Sequence, residues 1–146
     1  MQDPAIIVRP MVLEDIPELA ELYRQFWDQS SDVPEMIKLM ERLLTRDDYV
    51  FLSAVEGSKL IGSVYGIVCE IPYRHCRPFF VIQNVIVDED HRRKGVASLL
   101  FDELEHRARE KGCIQCDLIT NPFREAAVGF YQGRGFAADV GFRKPL

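Results

Sequence analysis

A short basic stretch with small residues has the composition of a phosphate-binding turn. It reads Arg92-Arg93-Lys94-Gly95-Val96-Ala97-Ser98. The apolar, β-rich residues 79–87 before it predict a strand, and apolar residues at helical spacing follow it. A helix that opens at such a turn presents unpaired backbone N–H groups at the positive end of its dipole. The stretch therefore predicts a seat for phosphate, and the alternative is an ordinary turn with a solvated basic patch.

Two motifs, in this order and spacing, resemble those of the GNAT superfamily of acyl-CoA-dependent N-acetyltransferases. Arg92, Gly95 and Ala97 match its (Gln/Arg)-x-x-Gly-x-(Gly/Ala) signature. Its other recurrent element, Ala-x-x-Phe-Tyr-x-x-x-Gly-Phe, is similar to the pattern formed by Ala127, Phe130, Tyr131, Gly135 and Phe136. An opening Ile7-Val8-Arg9-Pro10 followed by Glu14-Asp15 is also similar to its usual N-terminus. The resemblance extends over the whole chain, so residues 1–146 are expected to form a single N-acetyltransferase domain.

The resemblance implies that acetyl-CoA is the cosubstrate and that it binds along the strand at residues 79–87. In the family this strand splays from the next parallel strand, here residues 113–119, and the pantetheine arm lies between them like an added strand. Backbone amides of the turn hold the pyrophosphate. The cofactor-binding residues expected on this basis are Val85, Ile86, Val87, Arg92, Arg93, Lys94, Gly95, Val96, Ala97, Ser98, Asn121, Phe130 and Tyr131.

The resemblance also implies two catalytic groups. Many family members have a tyrosine at the position of Tyr131, and its phenol protonates the coenzyme A thiolate as that group leaves. The alternative is a tyrosine that only packs beside Phe130 and Phe136, and both roles can hold together. A strand amide, that of Val85, is expected to donate to the oxyanion that develops during attack.

The sequence does not identify a general base. Many relatives have a glutamate on the strand before the phosphate turn, but the polar residues of this strand are Gln83 and Asn84. Amides can orient an amine but cannot take its proton at neutral pH. Gln83 and Asn84 are therefore expected to bind the acceptor, together with Glu70 and His75, the remaining candidates for the base. The alternative for Glu70 and His75 is a solvated surface position, and His91 is expected to be a surface residue near the pyrophosphate.

The elements that must position these residues alternate along the chain. Periodicity and turn signals predict the order β-α-α-β-β-β-α-β-α-β. The order resembles the superfamily's mixed α/β fold, a twisted sheet of about six to seven strands with helices on both faces. Predicted strands cover residues 5–9, 49–56, 59–71, 79–87, 113–119 and 136–142, with the last helix at 125–132.

Composition limits the class of protein. The 146 residues carry a formal net charge of −5, which argues against a non-specific nucleic-acid binder. No apolar run approaches the roughly 20 residues that span a bilayer, and the first residues lack a signal-peptide pattern. A cytoplasmic protein without membrane or nucleic-acid partners is therefore expected. Cys113 and Cys116 would lie on opposite faces of a strand, so buried thiols and no metal site are predicted.

The function implied is transfer of an acetyl group from acetyl-CoA to a primary amine by direct attack in a ternary complex. A small-molecule amine is the first expectation, and a protein or peptide amine is the alternative. A non-catalytic acyl-CoA-binding regulatory module is a further alternative, because the carboxylate common in relatives is replaced at Gln83. A homodimer paired through residues 136–142 is expected by likeness to many family members.

Overall fold

The computed structural model describes residues 3–146, and its helices and strands follow the predicted order as far as the last helix. Short 3₁₀ turns precede the first helix and follow the fourth strand. The elements are β1 (Ile6–Pro10), α1 (Ile16–Arg24), α2 (Val33–Leu43), β2 (Tyr49–Glu56), β3 (Lys59–Cys69), β4 (Phe79–Val87), α3 (Val96–Glu110), β5 (Cys116–Asp117) and α4 (Glu125–Gly133).

The strands form one mixed sheet in the order β1-β2-β3-β4-β5. The first four strands are antiparallel, and β5 is parallel to β4 because α3 carries the chain back across the sheet. Packing beside β4 requires glycine at position 66, where an added Cβ would lie 2.1 Å from the ring of the fully buried Phe80. The parallel pair needed for the predicted cofactor site is therefore present.

Helices cover both faces of the sheet, because alternate residues of each strand point to opposite sides. On one face α3 buries Phe101 and Leu104 against Leu52 and neighbouring strand residues. On the other face α1 and α2 pack Ile16 and Met40 among residues that include Leu60 and Ile86. The predicted arrangement of helices on both faces is confirmed. Among residues 3–146, no helix is both long and apolar enough to cross a membrane.

A partly buried ion pair fixes the start of α1 against the sheet. Arg9 on β1 donates two hydrogen bonds to the Asp15 carboxylate, at 2.7 and 2.8 Å, and the Ser53 hydroxyl donates a third. Burial alone would raise the pKa of Asp15, but these bonds and one from the Val12 amide lower it below its usual range. The orientation of α1, and so of the residues just beyond its end, is set by this contact.

Two features of the predicted sheet are wrong. The strand expected at residues 113–119 is only two residues long, Cys116–Asp117, and residues 136–142 form no strand, so the sheet has five strands rather than six to seven. Because β5 is so short, the C-terminal segment has no strand of matching length with which to pair. The apolar side chains of that segment stay exposed, and Phe142 is 91% accessible to solvent.

Candidate functional site

A β-bulge interrupts β4 near its middle. The register between β3 and β4 shifts after Gln83, so that Asn84 and Val85 together face the single residue Val64. Asn84 has a φ of 51°, in the left-handed region that asparagine tolerates better than most residues. A bulge bends its strand and leaves backbone groups outside the hydrogen-bond ladder. Three residues predicted to act on the acceptor or the oxyanion, Gln83, Asn84 and Val85, therefore lie at an irregular point of the sheet.

Beyond their first bonded pairs, β4 and β5 separate. Only Phe80 and Val81 pair with β5, through Cys116 and Asp117. From residue 82 to 87 this edge of β4 has no strand partner in the described chain, and it borders a cleft of about 880 Å³ that we call the β4–β5 cleft. Its lining residues are Gln25, Phe26, Trp27, Ile82, Gln83, Asn84, Val85, Arg92, Tyr131 and the segments 118–124 and 141–143.

The predicted phosphate turn leads from the end of β4 into α3. Gly95 is the N-cap of α3 with a φ of 79°, a conformation that favours glycine, and no side chain caps the helix. The first turn of α3 lies tightly on the sheet, since a Cβ added at Gly62 would come within 3.0 Å of Val96. The first-turn amides of α3 thus remain available to a ligand, with Arg93 and Lys94 exposed around them, and Arg92 at the start of the turn lines the cleft.

A buried polar network supports the start of this turn. Asp88, 3% exposed, accepts hydrogen bonds from Gln25 at 2.7 Å and Lys59 at 3.2 Å. The His91 ring nitrogens lie 2.6 Å from Asp88 Oδ2 and 2.9 Å from Glu56 Oε2. Burial opposes ionisation of Asp88, but bonds from Gln25, His91 and Lys59 outweigh it and lower its pKa to about 2. His91 is 8% exposed, so the prediction of a surface residue is wrong. Its side chain is buried because both ring nitrogens contact carboxylates, those of Asp88 and Glu56.

Tyr131 lies on the wall of the β4–β5 cleft with its ring held by other aromatic residues. Its ring centroid is 5.8 Å from that of Phe101, 5.6 Å from Phe130 and 6.0 Å from Phe136. Burial raises the pKa of Tyr131, and the charge of Arg124 opposes that rise. The phenol is therefore protonated at neutral pH, the form that a proton donor needs.

An ion-pair cluster keeps α4 on α3 and so positions Tyr131. Arg134, directly after α4, donates to Asp102 at 2.8 Å and to Glu105, both on α3. Its guanidinium also lies over the rings of Phe101 and Phe130. The local sequence did not predict this ion-pair cluster, because the carboxylates that bind Arg134 belong to a different helix.

The charges along the cleft form a feature that the sequence did not reveal. Phe26, just past α1, lies beneath two guanidinium groups, with Arg124 Cζ 4.1 Å and Arg92 Cζ 5.3 Å from its ring centroid. Arg143 also lines the cleft. None of the lining side chains within residues 3–146 belongs to an aspartate, glutamate or histidine. The cleft is therefore cationic and offers no side-chain base.

Not all predicted site residues meet at the cleft. Glu70 and His75 are exposed and do not line it, because they precede β4 at the end where β4 and β5 are still paired. Phe130 packs on Phe101 rather than on the cleft wall. Asn121 does line it, with its Oδ1 accepting a hydrogen bond from the Phe123 amide at 2.9 Å. Ile86, Val87 and residues 93–98 of the expected coenzyme site are not in the cleft lining either. The roles of all the predicted site residues stay predictions.

The cysteines are free thiols. Cys113 and Cys116 are half-buried, and burial raises the pKa of both, to about 11 for Cys116. A raised pKa leaves little thiolate, so these two thiols react slowly at neutral pH. They were predicted to be buried, and the structure shows them half-buried. Within the described 144-residue span, 3–146, no group of three His, Cys, Asp or Glu side chains is placed to hold a metal ion.

Comparison with known proteins identifies the family. The sequence model of the acetyltransferase (GNAT) family matches residues 16–136. This protein therefore belongs to the GNAT family of acetyltransferases, as its two motifs predicted. It is 24% identical over 129 residues to an uncharacterized N-acetyltransferase, YhfO, of Bacillus subtilis (strain 168), a match that covers 87% of this chain and 85% of that protein.

Solved structures share the fold. Glucosamine-6-phosphate N-acetyltransferase from Arabidopsis thaliana matches with a TM-score of 0.85 and 19% identity, over 97% of this chain and 98% of that one. The aminoglycoside N-acetyltransferase AAC(6')-Iy, solved with a bisubstrate analogue of coenzyme A, matches with a TM-score of 0.79 and 20% identity, over 97% and 99%. These matches confirm the mixed α/β fold.

Proposed function

We propose that this protein transfers an acetyl group from acetyl-CoA to a primary amine of a small molecule, by direct attack in a ternary complex. The observation that carries the proposal is the β4–β5 cleft, whose wall includes Arg92, the first residue of the turn that leads into the uncapped N-terminus of α3. An unpaired strand edge and a protonated phenol border this cleft, and the free amides of α3 follow Arg92 a few residues along the chain. Together they suit an extended thioester that ends in phosphates.

The described residues fit acetyl-CoA as donor, which supplies an activated acetyl group. Backbone groups of residues 85–87 lie on the unpaired edge of β4 and can bond an amide-containing arm. The first-turn amides of α3, with Arg92, Arg93 and Lys94 nearby, suit the pyrophosphate. Gly95 has open space where a Cβ would stand, since among residues 3–146 no atom outside Gly95 and its two chain neighbours lies within 4 Å of that position.

Two groups of this chain would act on the reacting centre. The Val85 amide, on the bulge, would donate to the oxygen that gains charge during attack. Tyr131 would donate its phenolic proton to the departing thiolate. Because no carboxylate or histidine lines the cleft within the described chain, the amine would enter neutral or lose its proton to water.

The size of the cleft favours a small acceptor. A volume of about 880 Å³ lies within the range of small-molecule sites, and the donor arm would occupy part of it. Two proteins of the same fold are named for acceptors of this kind, glucosamine-6-phosphate and aminoglycosides. A peptide amine would need a groove that continues across the surface, and the end of α1 borders the cleft at Phe26 and Trp27.

A screen for thiol release tests the proposal. The purified protein is mixed with acetyl-CoA and with amino sugars, amino acids, polyamines or short peptides, and free coenzyme A is measured. We expect release that depends on a small amine and is strongly reduced in Tyr131→Phe. Release with peptides alone would favour the protein-amine alternative, and no release despite donor binding would contradict the proposed reaction.

Assembly into a homodimer through residues 136–142 stays a prediction. Val140 and Phe142 are 81% and 91% exposed, so this segment presents apolar side chains that a second copy would cover. Light scattering of the purified chain measures the mass in solution. A monomer at all concentrations would contradict the predicted pairing.

A further inference from the structure

We infer that the acceptor carries an anionic group close to its amine, and that Arg124 binds this group. The inference rests on the proposed acetyl transfer in the β4–β5 cleft and names the class of amine that enters it. Three observations support it: the sign of charge along the cleft, the place of Arg124 on its wall, and the unused donors of its guanidinium.

The cleft differs in charge from the chain as a whole. The sequence has 23 acidic and 18 basic residues, yet the charged side chains along the cleft are Arg92, Arg124 and Arg143. A concave surface lined by one sign of charge attracts ligands of the opposite sign and disfavours like charges. A polycationic amine would therefore be repelled, whereas an amine that also bears a carboxylate or phosphate would be attracted.

Arg124 lines the β4–β5 cleft from the start of α4. It is the N-cap of α4, separate from the phosphate turn, which contributes Arg92. The Cζ atom of its guanidinium lies 4.1 Å from the Phe26 ring centroid. Burial raises the pKa of the Tyr131 hydroxyl, and the charge of Arg124 offsets part of that rise. Arg124 thus lines the same cleft as the end of α1 and the proposed proton donor, and an acceptor amine bound in this cleft would be within its field.

The guanidinium of Arg124 is oriented but has no protein acceptor. Arg124 is exposed to solvent, and in residues 3–146 its guanidinium makes no ion pair or hydrogen bond, whereas Arg9, Arg46 and Arg134 each bind a carboxylate. Stacking on an aromatic face restrains a guanidinium and leaves its edge donors free. Such a planar fork binds a carboxylate or a phosphate through two parallel hydrogen bonds. Those two anions share this chemistry, so the experiment must separate them.

Matched pairs of acceptors test the inference and identify the anion. Glucosamine-6-phosphate is compared with glucosamine, and an α-amino acid is compared with its amide. The ratio kcat/KM is measured by thiol release for the wild type, for Arg124→Gln, and for Arg42→Gln. Arg42 is a control because it is exposed on α2 and forms no ion pair in the described chain.

The wild type is expected to favour the charged member of one pair by at least about tenfold, the worth of one charge-assisted contact. Arg124→Gln should abolish that preference and leave the KM for acetyl-CoA within about twofold, while Arg42→Gln should change neither value. Equal use of charged and neutral amines would overturn the inference and leave the proposed function intact. A rise in the KM for acetyl-CoA alone would also overturn it, because Arg124 would then bind donor phosphates.

Calorimetric titration of the same pairs into the protein with coenzyme A tests Arg124 without turnover. Tighter binding of the charged amine, lost in Arg124→Gln, supports the inference even if no thiol release is detected. Equal binding of both members overturns it. Absence of thiol release with this binding intact would instead contradict the proposed function, so the two failures are distinguishable.

Discussion

The ring of Tyr131 is packed among Phe101, Phe130 and Phe136, and the same residue lines the β4–β5 cleft. Packing restricts the ring, and restriction fixes where its hydroxyl can donate. The structural role and the proposed chemical role of this tyrosine are therefore linked. Removing only the hydroxyl separates them, since phenylalanine keeps most of the packing.

Tyr131→Phe is predicted to leave acetyl-CoA affinity within about threefold and to lower turnover by ~10²-fold, the usual contribution of a general acid. Binding is measured by calorimetry and turnover by thiol release. Tyr73→Phe, in the exposed loop after β3, is the matched control and should behave as the wild type. An unchanged rate in Tyr131→Phe would remove Tyr131 from the mechanism.

The sequence identified some site residues and missed others for a physical reason. Gly95 and Tyr131 belong to motifs whose spacing follows from one turn or one helix. Arg124 acts through Phe26, which is far away along the chain, and their contact depends on how α1 and α4 are placed on the sheet. His91 was misjudged for the same reason, because Glu56 reaches it from β2.

At the scale of elements, the network around Asp88 joins β2, β3 and the end of α1 to the turn that leads into α3. Gln25 makes the link to α1 twice, since it donates to Asp88 and accepts from the Glu89 amide at 2.9 Å. The phosphate turn and the Phe26 side of the cleft are thus held by one cluster. We therefore expect substitutions in this cluster to lower the free energy of unfolding more than they lower the rate of acetyl transfer.

Stability is predicted to depend on the ionisation of Asp88. Its pKa in the folded protein, about 2, is lower than its ordinary value of 3.8, so the folded state binds this proton less readily than the unfolded state. The contribution of Asp88 is therefore complete above about pH 4 and is lost as the pH falls towards 2. Thermal unfolding of the wild type and of Asp88→Asn between pH 6 and pH 2 measures it.

Asp88→Asn should be less stable than the wild type near pH 6, and the difference should shrink as acid protonates the wild-type carboxylate. Asp139→Asn, in the exposed C-terminal segment, is the control and should follow the wild type throughout. If the difference in unfolding temperature between Asp88→Asn and the wild type stayed constant from pH 6 to pH 2, ionisation of Asp88 would not be the source of the stability lost in the variant.

Elements whose bounds depend on local sequence signals were predicted correctly. The strands expected at residues 113–119 and 136–142, which depend on a partner strand within reach, were not. Asp32 accepts a hydrogen bond from the Glu35 amide and caps α2, a contact between residues close together in the sequence. Alternating and apolar residues gave β2 and β4 their observed bounds. The apolar pattern of residues 136–142 also suited a strand, but a strand forms only where a partner edge is in reach.

At the scale of the whole molecule, one five-stranded sheet with helices on both faces positions two groups of proposed site residues, and Arg92 of the first group lines the same opening, the β4–β5 cleft, as the second group. The side beside α3 carries the phosphate turn, and the side beside α1 and α4 carries Phe26, Arg124 and Tyr131. Arg92 of the phosphate turn and the residues Phe26, Arg124 and Tyr131 all line the cleft that opens where β4 separates from β5. If acetyl-CoA fills this opening, ligand binding should stabilise the whole fold.

Acetyl-CoA and coenzyme A are predicted to raise the unfolding temperature, and ATP at the same concentration to raise it less. A ligand at 100 times its dissociation constant adds about 2.7 kcal/mol to the free energy of unfolding. With an unfolding entropy of about 2.1 cal/mol/K per residue, the 146 residues of this chain would respond with a shift of roughly 9 °C. Equal shifts with all three ligands would indicate general phosphate binding rather than recognition of the coenzyme.

Calorimetric titration of acetyl-CoA into the wild type and into Gly95→Glu tests the central claim most directly. Gly95 caps α3, and among residues 3–146 no atom outside Gly95 and its two chain neighbours lies within 4 Å of where its Cβ would stand, so glutamate adds a negative charge at the proposed phosphate seat. Circular dichroism checks that the variant is folded. Binding by the wild type and its loss in a folded Gly95→Glu is the predicted result. Unchanged affinity in the variant would contradict the assignment of this turn to the coenzyme.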